Sequence, residues 1–366
     1  MIENRILDIK KVIISGGGTG GHIFPAIAIA NELKNKYDCE ILFIGANDRM
    51  EMQKVPEAGY KIEGLNIIGF DRHNILKNIK VLILFIRSLR KASKIIKEFC
   101  PQIVIGVGGY ASSAALYAAT RLNIPTLIQE QNSLPGITNR VLSKKVDIIC
   151  VAYPNMQKWF PKNKIVLCGN PVRNTIKNLT DQIENNKCDR KSVLAVGGSL
   201  GALTINESIA ENIDYFVQNN IYLIWQTGKN YYNKAKKLVE DLEGNNIKVY
   251  EFIRDIDKAY NEADFIISRA GALAIAELAI VGKPCLLVPS PNVAEDHQTK
   301  NALALADKKA AILVRDNDAR TKLIPELDRI INDKELCTTL EKNLKKIAMP
   351  NALEKIVNEI EKIVLK

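Results

Sequence analysis

The chain is short of several things that would assign it quickly. Among 366 residues there are three histidines, two tryptophans and an aromatic content of 6%. The seven cysteines (Cys39, Cys100, Cys150, Cys168, Cys188, Cys285, Cys337) include no C-x-x-C pair. An odd set of scattered thiols fits a reducing compartment rather than a disulfide framework, and without a cysteine pair near a histidine a zinc site is not expected. The opening residues MIENRILDIKK contain no apolar core of a secretory signal. The longest apolar runs, such as Val81 to Ile86, fall far short of the roughly 20 residues that span a bilayer. The few aromatics, with no recognised nucleic-acid motif, weigh against nucleic acid as a partner. What is abundant is positive charge, a formal net +10, which favours an anionic partner such as phosphate or anionic lipid.

The stretch Lys11–Pro25 (KVIISGGGTGGHIFP) organises the first half. A β-branched run enters a glycine-rich turn and then a helical pattern. Glycine permits positive φ and close backbone approach, and the free N–H groups of the following helix face whatever occupies the turn. Gly16-x-Gly18-x-x-Gly21 also matches the dinucleotide fingerprint, which leaves His22 unexplained.

Strand-like and helix-like segments then alternate. Strands are expected at 12–15, 40–45, 60–66, 103–107, 126–129 and 146–151, with helices at 24–36, 48–58, 75–99, 111–122 and 138–144. A second glycine-rich turn, Gly106–Tyr110, follows the fourth strand. After Gly169-Asn170-Pro171-Val172-Arg173 comes a polar stretch to Lys191, read as a linker. The pattern restarts at Ser192–Val196 with a third glycine-rich turn, Gly197–Ala202, and a helix over 203–219. Strands at 221–225, 247–250, 265–268, 285–288 and 311–314 and helices at 319–332, 334–347 and 353–364 complete the chain. Alternation of this kind predicts an α/β protein with two Rossmann-like domains, each a parallel sheet covered on both faces, with a deep ligand cleft at the carboxyl ends of the strands. The expected division is 1–168, joined by the last helix 351–366, and 169–350.

A nicotinamide enzyme and a nucleotide-sugar enzyme fit the first half equally well. The second half favours the sugar nucleotide. Ser268–Glu277 (SRAGALAIAE) runs from a strand end through small residues into a helix, one turn inside which Glu277 can accept both hydroxyls of a ribose. Taken alone, Glu277 reads more simply as a solvated helix carboxylate. Two Asp-x-Asp triplets, Asp255-Ile256-Asp257 and Asp316-Asn317-Asp318, suggest a metal–diphosphate clamp, but each lies where a helix N-cap is expected, and the capping role is preferred.

In their order and spacing, GGGTGGHIFPAIAIA, GVGGYAS, EQNSLPGITNR, CGNPVR, VGGSLGA and SRAGALAIAE resemble the MurG family of bacterial glycosyltransferases, glycosyltransferase family 28. The resemblance runs from Val12 to about Ala302. It implies a GT-B fold and an inverting, metal-independent transfer of N-acetylglucosamine from UDP-N-acetylglucosamine (UDP-GlcNAc). The implied acceptor is lipid I, undecaprenyl-pyrophosphoryl-MurNAc-pentapeptide, attacked through its MurNAc C4 hydroxyl to give lipid II for peptidoglycan. No cofactor is implied.

The resemblance places Ile253 at the uracil, Ala272, Leu273, Ala274, Ile275 and Ala276 along uridine and diphosphate, and Glu277 on the ribose. Ser199 and Arg173 match positions at the phosphates, and Gln298 one at the sugar. Thr19, Gly20, Gly21 and Asn132 match positions closing over the donor sugar. Gly18, Gly108, Gly109 and Tyr110 fall on the acceptor side. His22 is the first choice of general base, with Glu130 the second choice or an acceptor orienter. Where relatives often carry His before Glu-Gln-Asn, this chain has Gln129.

A polyprenyl-pyrophosphate acceptor also implies a peripheral enzyme on the cytoplasmic face of the cell membrane, bound to anionic membrane lipid. Helix 75–99 is the candidate surface. Lys77, Lys80, Arg87, Lys91 and Lys94 form a basic stripe with Leu84 in its middle, beside an apolar arc of Val81, Leu82, Ile83, Phe85, Ile86 and Leu89 that is wider than one buried face needs. Two other readings remain open: another UDP-sugar lipid glycosyltransferase of this architecture, and a nucleotide-sugar-binding regulator without catalysis.

Overall fold

The computed structural model describes residues 8–69, 75–177, 190–198, 200–240, 242 and 246–364. Residues up to Val172, together with those from Asn351 onward, form one compact unit, and Arg173–Pro350 form another.

In the first unit the elements run β1 (Lys11–Gly16), α1 (Gly20–Tyr37), β2 (Glu40–Ala46), α2 (Glu51–Glu57), β3 (Lys61–Leu65), α3 (Ile75–Phe99), β4 (Ile103–Gly108), α4 (Tyr110–Arg121), β5 (Thr126–Glu130), α5 (Ile137–Leu142), β6 (Ile148–Val151) and β7 (Ile165–Leu167). The seven strands order β3-β2-β1-β4-β5-β6-β7, and every pairing is parallel. Side chains alternate across a strand, so β1 feeds two cores. Val12 and Ile14 pack with Ile23, Ile29 and Leu33 of α1, whereas Ile13 packs with Ile96 of α3 and Leu116 of α4.

The second unit holds α6 (Asn174–Lys177), β8 (Ser192–Val196), α7 (Leu203–Ala210), α8 (Ile213–Gln218), β9 (Tyr222–Gln226), α9 (Lys229–Glu240), β10 (Ile247–Tyr250), α10 (Ile256–Glu262), β11 (Phe265–Ser268), α11 (Ala272–Val281), β12 (Cys285–Leu287), α12 (His297–Ala306), β13 (Ile312–Leu313), α13 (Ala319–Asn332) and α14 (Lys334–Ile347). Its six strands order β10-β9-β8-β11-β12-β13, again all parallel. The final helix, α15 (Ala352–Val364), belongs to the first unit, where Ile356 and Ile360 join the core of β1 and α1.

Both sheets reverse strand order beside their first strand, between β1 and β4 and between β8 and β11. The crevice at the carboxyl ends of such a pair is where open α/β sheets bind ligands. All three glycine-rich turns and the SRAGALAIAE segment leave the sheets at these ends. Fold class is thus as expected: two Rossmann-like sheets of GT-B type.

Several local expectations need correction. The helix expected over 203–219 is two helices, α7 and α8, separated at Glu211-Asn212. Strand β7 carried no sequence signal, being three residues long and half-exposed. Asp255 and Asp318 do stand at helix N-caps, but neither side chain makes a capping bond. Their carboxylates instead pair with Lys258 at 3.0 Å and Lys322 at 2.9 Å.

Candidate active site

In the first unit the turns after β1 and β4 lie against each other. Gly17 N donates to Gly108 O at 3.3 Å. Gly109 has φ +88°, and a Cβ there would sit 2.6 Å from Gly17 O. Only glycine permits both that backbone conformation and that approach. Thr19 caps the start of α1 through its carbonyl, which accepts from His22 N and Ile23 N, each at 3.1 Å. His22 therefore projects from the first turn of α1. Its Nδ1 lies 2.9 Å from Gly17 O, and a Cβ on Gly108 would fall 2.7 Å from its Nε2. Gly18, Gly20, Gly21 and His22 are thus brought together with Gly108 and Gly109. Tyr110 opens α4 beside them and is half-exposed.

Glu130 ends β5, buried. Its Oε1 accepts from Asn132 N at 3.0 Å and Asn132 Nδ2 at 3.4 Å, and its Oε2 from Gly136 N at 3.1 Å and Asn139 Nδ2 at 2.8 Å. Burial pushes this carboxyl above its ordinary range, opposed by those hydrogen bonds. Four donors on one carboxylate make it an organiser of the 130–139 loop. Gln129 and Gln131 are buried beneath that loop; Gln131 donates to Val107 O at 2.8 Å, tying the loop to the end of β4.

In the second unit, α11 begins at Gly271 in extended conformation. Its early residues Leu273, Ala274 and Ala276 stay partly exposed, while Ala272 and Ile275 are buried. Glu277 is 8% exposed. It accepts from Tyr260 Oη at 3.2 Å and lies 3.7 Å from Arg173 Nε. Burial raises the Glu277 carboxyl, with the Arg173 charge and the Tyr260 hydrogen bond opposing it. Tyr260 is itself pushed well above 10.0, first by burial and then by the Glu277 charge, so it remains a neutral donor.

Ile253 N donates to Gln226 Oε1 at 2.9 Å, and Gln226 Nε2 donates to Gly198 O at 3.0 Å. One buried glutamine thus ties the Ile253 loop to the turn after β8. Gln298, at the start of α12, accepts from Ser290 N through Oε1 at 2.8 Å. Ser199 lies outside the described residues.

Arg269, in the turn after β11, donates to Val288 O at 3.0 Å and Pro289 O at 3.1 Å and pairs with Asp316. Thr204 Oγ1 donates to Asp316 at 2.9 Å. The second Asp-x-Asp triplet therefore serves a partly buried ion pair that holds the α11 approach. Sequence reading missed Tyr260, Gln226 and Arg269. Arg269, inside a quoted motif, carried the nearest thing to a signal.

On α3, the side chain of Lys77 lies outside the described residues. Ile79, Leu82, Ile83 and Ile86 are 61%, 52%, 47% and 42% exposed. Their spacing puts them on one face. Lys80 and Arg87 are exposed beside them. The expected arc is narrower than drawn. Val81 is buried, and Phe85 and Leu89 pack on the core. Leu84 is only partly exposed and does not centre the patch. Lys91 turns to Gly64 O at 2.8 Å, and Lys94 sits 3.7 Å from Glu98. No helix among the described residues is long and apolar enough to cross a membrane.

Comparison with known proteins places these features. Residues 12–151 match the glycosyltransferase family 28 N-terminal domain, and residues 192–358 match the family 28 C-terminal domain. A Parabacteroides distasonis protein is 51% identical over 97% of this chain and 98% of its own length. A Flavobacterium psychrophilum protein is 49% identical over 97% and 98%. Both bear the name UDP-N-acetylglucosamine--N-acetylmuramyl-(pentapeptide) pyrophosphoryl-undecaprenol N-acetylglucosamine transferase. The crystal structure of Acinetobacter baumannii MurG superposes with a TM-score of 0.80 at 31% identity, covering 96% of this chain and 99% of that one.

Proposed function

The chain belongs to glycosyltransferase family 28, and from that premise we propose that it transfers N-acetylglucosamine from UDP-GlcNAc to the muramyl sugar of lipid I, making lipid II for peptidoglycan. The observation that carries this is near-50% identity along almost the whole chain to transferases of that name.

The donor is assigned to the second unit. Glu277 takes the ribose hydroxyls, a role supported by a buried carboxylate whose orientation Tyr260 sets. Ile253 has its amide engaged by Gln226, so its carbonyl is the group offered to the uracil N–H. The first turn of α11 offers backbone N–H groups and a helix dipole to the diphosphate, and Arg173 and Ser199 add charge and a hydroxyl. Gln298, whose oxygen faces Ser290, offers its amide N–H to the sugar. Thr19, Gly20, Gly21 and Asn132 take the sugar from the first unit, and Gly18, Gly108, Gly109 and Tyr110 take the acceptor.

The acceptor C4 oxygen attacks the anomeric carbon in line. The new C–O bond forms as the bond to the β-phosphate oxygen breaks, and UDP leaves with the electron pair. The hydroxyl proton passes to His22 Nε2. Imidazole suits this task, with an unperturbed pKa of about 6.5. Charge building on the diphosphate is met by loop amides and Arg173. Glu130, saturated by four donors, is assigned to loop geometry.

The acceptor's lipid chain requires a membrane surface, and we assign it to α3 in the first unit. Four apolar side chains, each about half exposed, flank Lys80 and Arg87. Insertion of such side chains and attraction of about 1 kcal/mol per basic residue to an anionic leaflet give reversible peripheral binding on the cytoplasmic face.

The deciding assay incubates the protein with UDP-GlcNAc and a lipid I analogue. UDP release that requires the muramyl acceptor is expected. Donor binding with no turnover would overturn the reading in favour of a regulator, and turnover with diacylglycerol instead would reassign the acceptor.

A further inference from the structure

The peptide unit joining Gly17 to Gly18 is gripped at both ends by ionisable side chains. Its N–H, on Gly18, donates to Glu51 Oε2 at 2.8 Å. Its C=O, on Gly17, accepts from His22 Nδ1 at 2.9 Å. The other oxygen of Glu51 accepts from Ala46 N at 3.0 Å, which pins the carboxylate. Glu51 is completely buried, and the chain makes room for it. A Cβ at Gly17 would stand 2.0 Å from Glu51 Oε1, and one at Gly45 would stand 2.7 Å from Glu51 Cγ.

The contact at Gly17 O also fixes a proton. A carbonyl oxygen only accepts, so His22 Nδ1 carries the hydrogen, and in the neutral ring the lone pair is on Nε2. Nε2 is the atom directed at Gly108. We infer that Glu51 is the positioning residue of the general base, acting on His22 through the Gly17–Gly18 peptide. In Ser-His-Asp triads a carboxylate touches the imidazole directly; here one amide stands between them. The carboxylate polarises the amide, and the amide oxygen in turn steadies the imidazolium that forms as the acceptor proton arrives. This offsets the N-terminal dipole of α1, which disfavours a cation in its first turn. No proton crosses the peptide. The Nδ1 hydrogen stays in place while the acceptor hydroxyl proton lands on Nε2.

The inference rests on His22 being the base, and the tests separate the two claims. The chain has only His22, His73 and His297, so 15N-histidine labelling of the full-length protein resolves His22. Its neutral form is expected as the Nδ1–H tautomer; an Nε2–H tautomer overturns the relay and needs no variant. Glu51→Gln keeps the shape but can accept from only one of the two backbone N–H groups. It is expected to lower kcat with a lipid I analogue about tenfold at an unchanged KM for UDP-GlcNAc. The acid limb of the kcat–pH profile should move down by on the order of half a pH unit, because the imidazolium loses a favourable charge. A loss of active protein with the limb in place would mean that Glu51 is merely structural. In a His22→Ala background, Glu51→Gln should cost nothing further. An inactive His22→Ala beside a wild-type-like Glu51→Gln sinks the relay alone, whereas near-normal turnover by His22→Ala sinks the base and the relay with it.

Discussion

Glu277→Gln should weaken donor binding and strengthen the fold at once. The buried carboxylate accepts from Tyr260 and faces Arg173. The glutamine oxygen can keep the Tyr260 bond, so packing survives. Charge-assisted hydrogen bonds to the ribose hydroxyls, worth about 1.5–3 kcal/mol, are lost. The Kd for UDP-GlcNAc measured by calorimetry should therefore rise roughly ten- to hundredfold. Stability moves the other way. Burial lifts the Glu277 carboxyl above its ordinary 4.5, so the native state holds this proton more tightly than the unfolded chain. The contribution of Glu277 to stability is favourable below the ordinary carboxylate range and is lost as pH rises through the folded value. At pH 7 the ionised, buried group costs stability, and the amide removes that cost. The ligand-free variant should melt above wild type at pH 7, and the gap should close as the pH falls toward about 4. Unchanged donor affinity refutes the ribose role. A lower melting temperature at pH 7 refutes the burial argument.

Other substitutions probe the remaining parts. Asp316→Ala removes the charged partner of a partly buried guanidinium that keeps its two carbonyl acceptors, costing about 1–3 kcal/mol, and should lower the melting midpoint by roughly 5 °C; an unchanged melt would show that the pair does not hold the turn. Gly109→Ala places a Cβ against Gly17 O at φ +88° and should cost on the order of 1–3 kcal/mol. It should raise the acceptor KM by more than the donor Kd, since the uridine and diphosphate contacts are assigned to the second unit. Leu82→Gln with Ile83→Gln removes about 1 kcal/mol of apolar transfer per half-exposed side chain. Partition onto anionic vesicles, read by sedimentation, should fall at least tenfold, and equal partition would move the membrane surface elsewhere.

The fold was legible because its signals are local. Val12–Ser15, Ile103–Val107 and Ser192–Val196 are apolar runs that end in glycine, and each is a buried parallel strand next to a crevice. What escaped had no local signature. Strand β7 is three residues of an edge, and the break between α7 and α8 at Glu211-Asn212 interrupts an otherwise helical pattern. The site divides in the same way. Motif residues such as His22 and Glu277 could be named from the chain alone, and their neighbours could not. Glu51, Tyr260 and Gln226 act through partners 33, 17 and 27 positions away, a distance that no short pattern encodes. The Asp-x-Asp triplets show the converse. Asp316 looked like a cap or a metal ligand until Arg269, 47 positions away, supplied its partner.

The placement of α15 bears on how the chain is made. Its Ile356 and Ile360 sit in the same core as Val12 and Ile14 of the first strand. Synthesis runs from the amino end, and domains ordinarily fold in that order as they emerge. Here the order is inverted. The second unit, Arg173–Pro350, has all its residues before the first unit does. The face of the first-made sheet that α1 covers in part is completed only when α15 emerges from the ribosome.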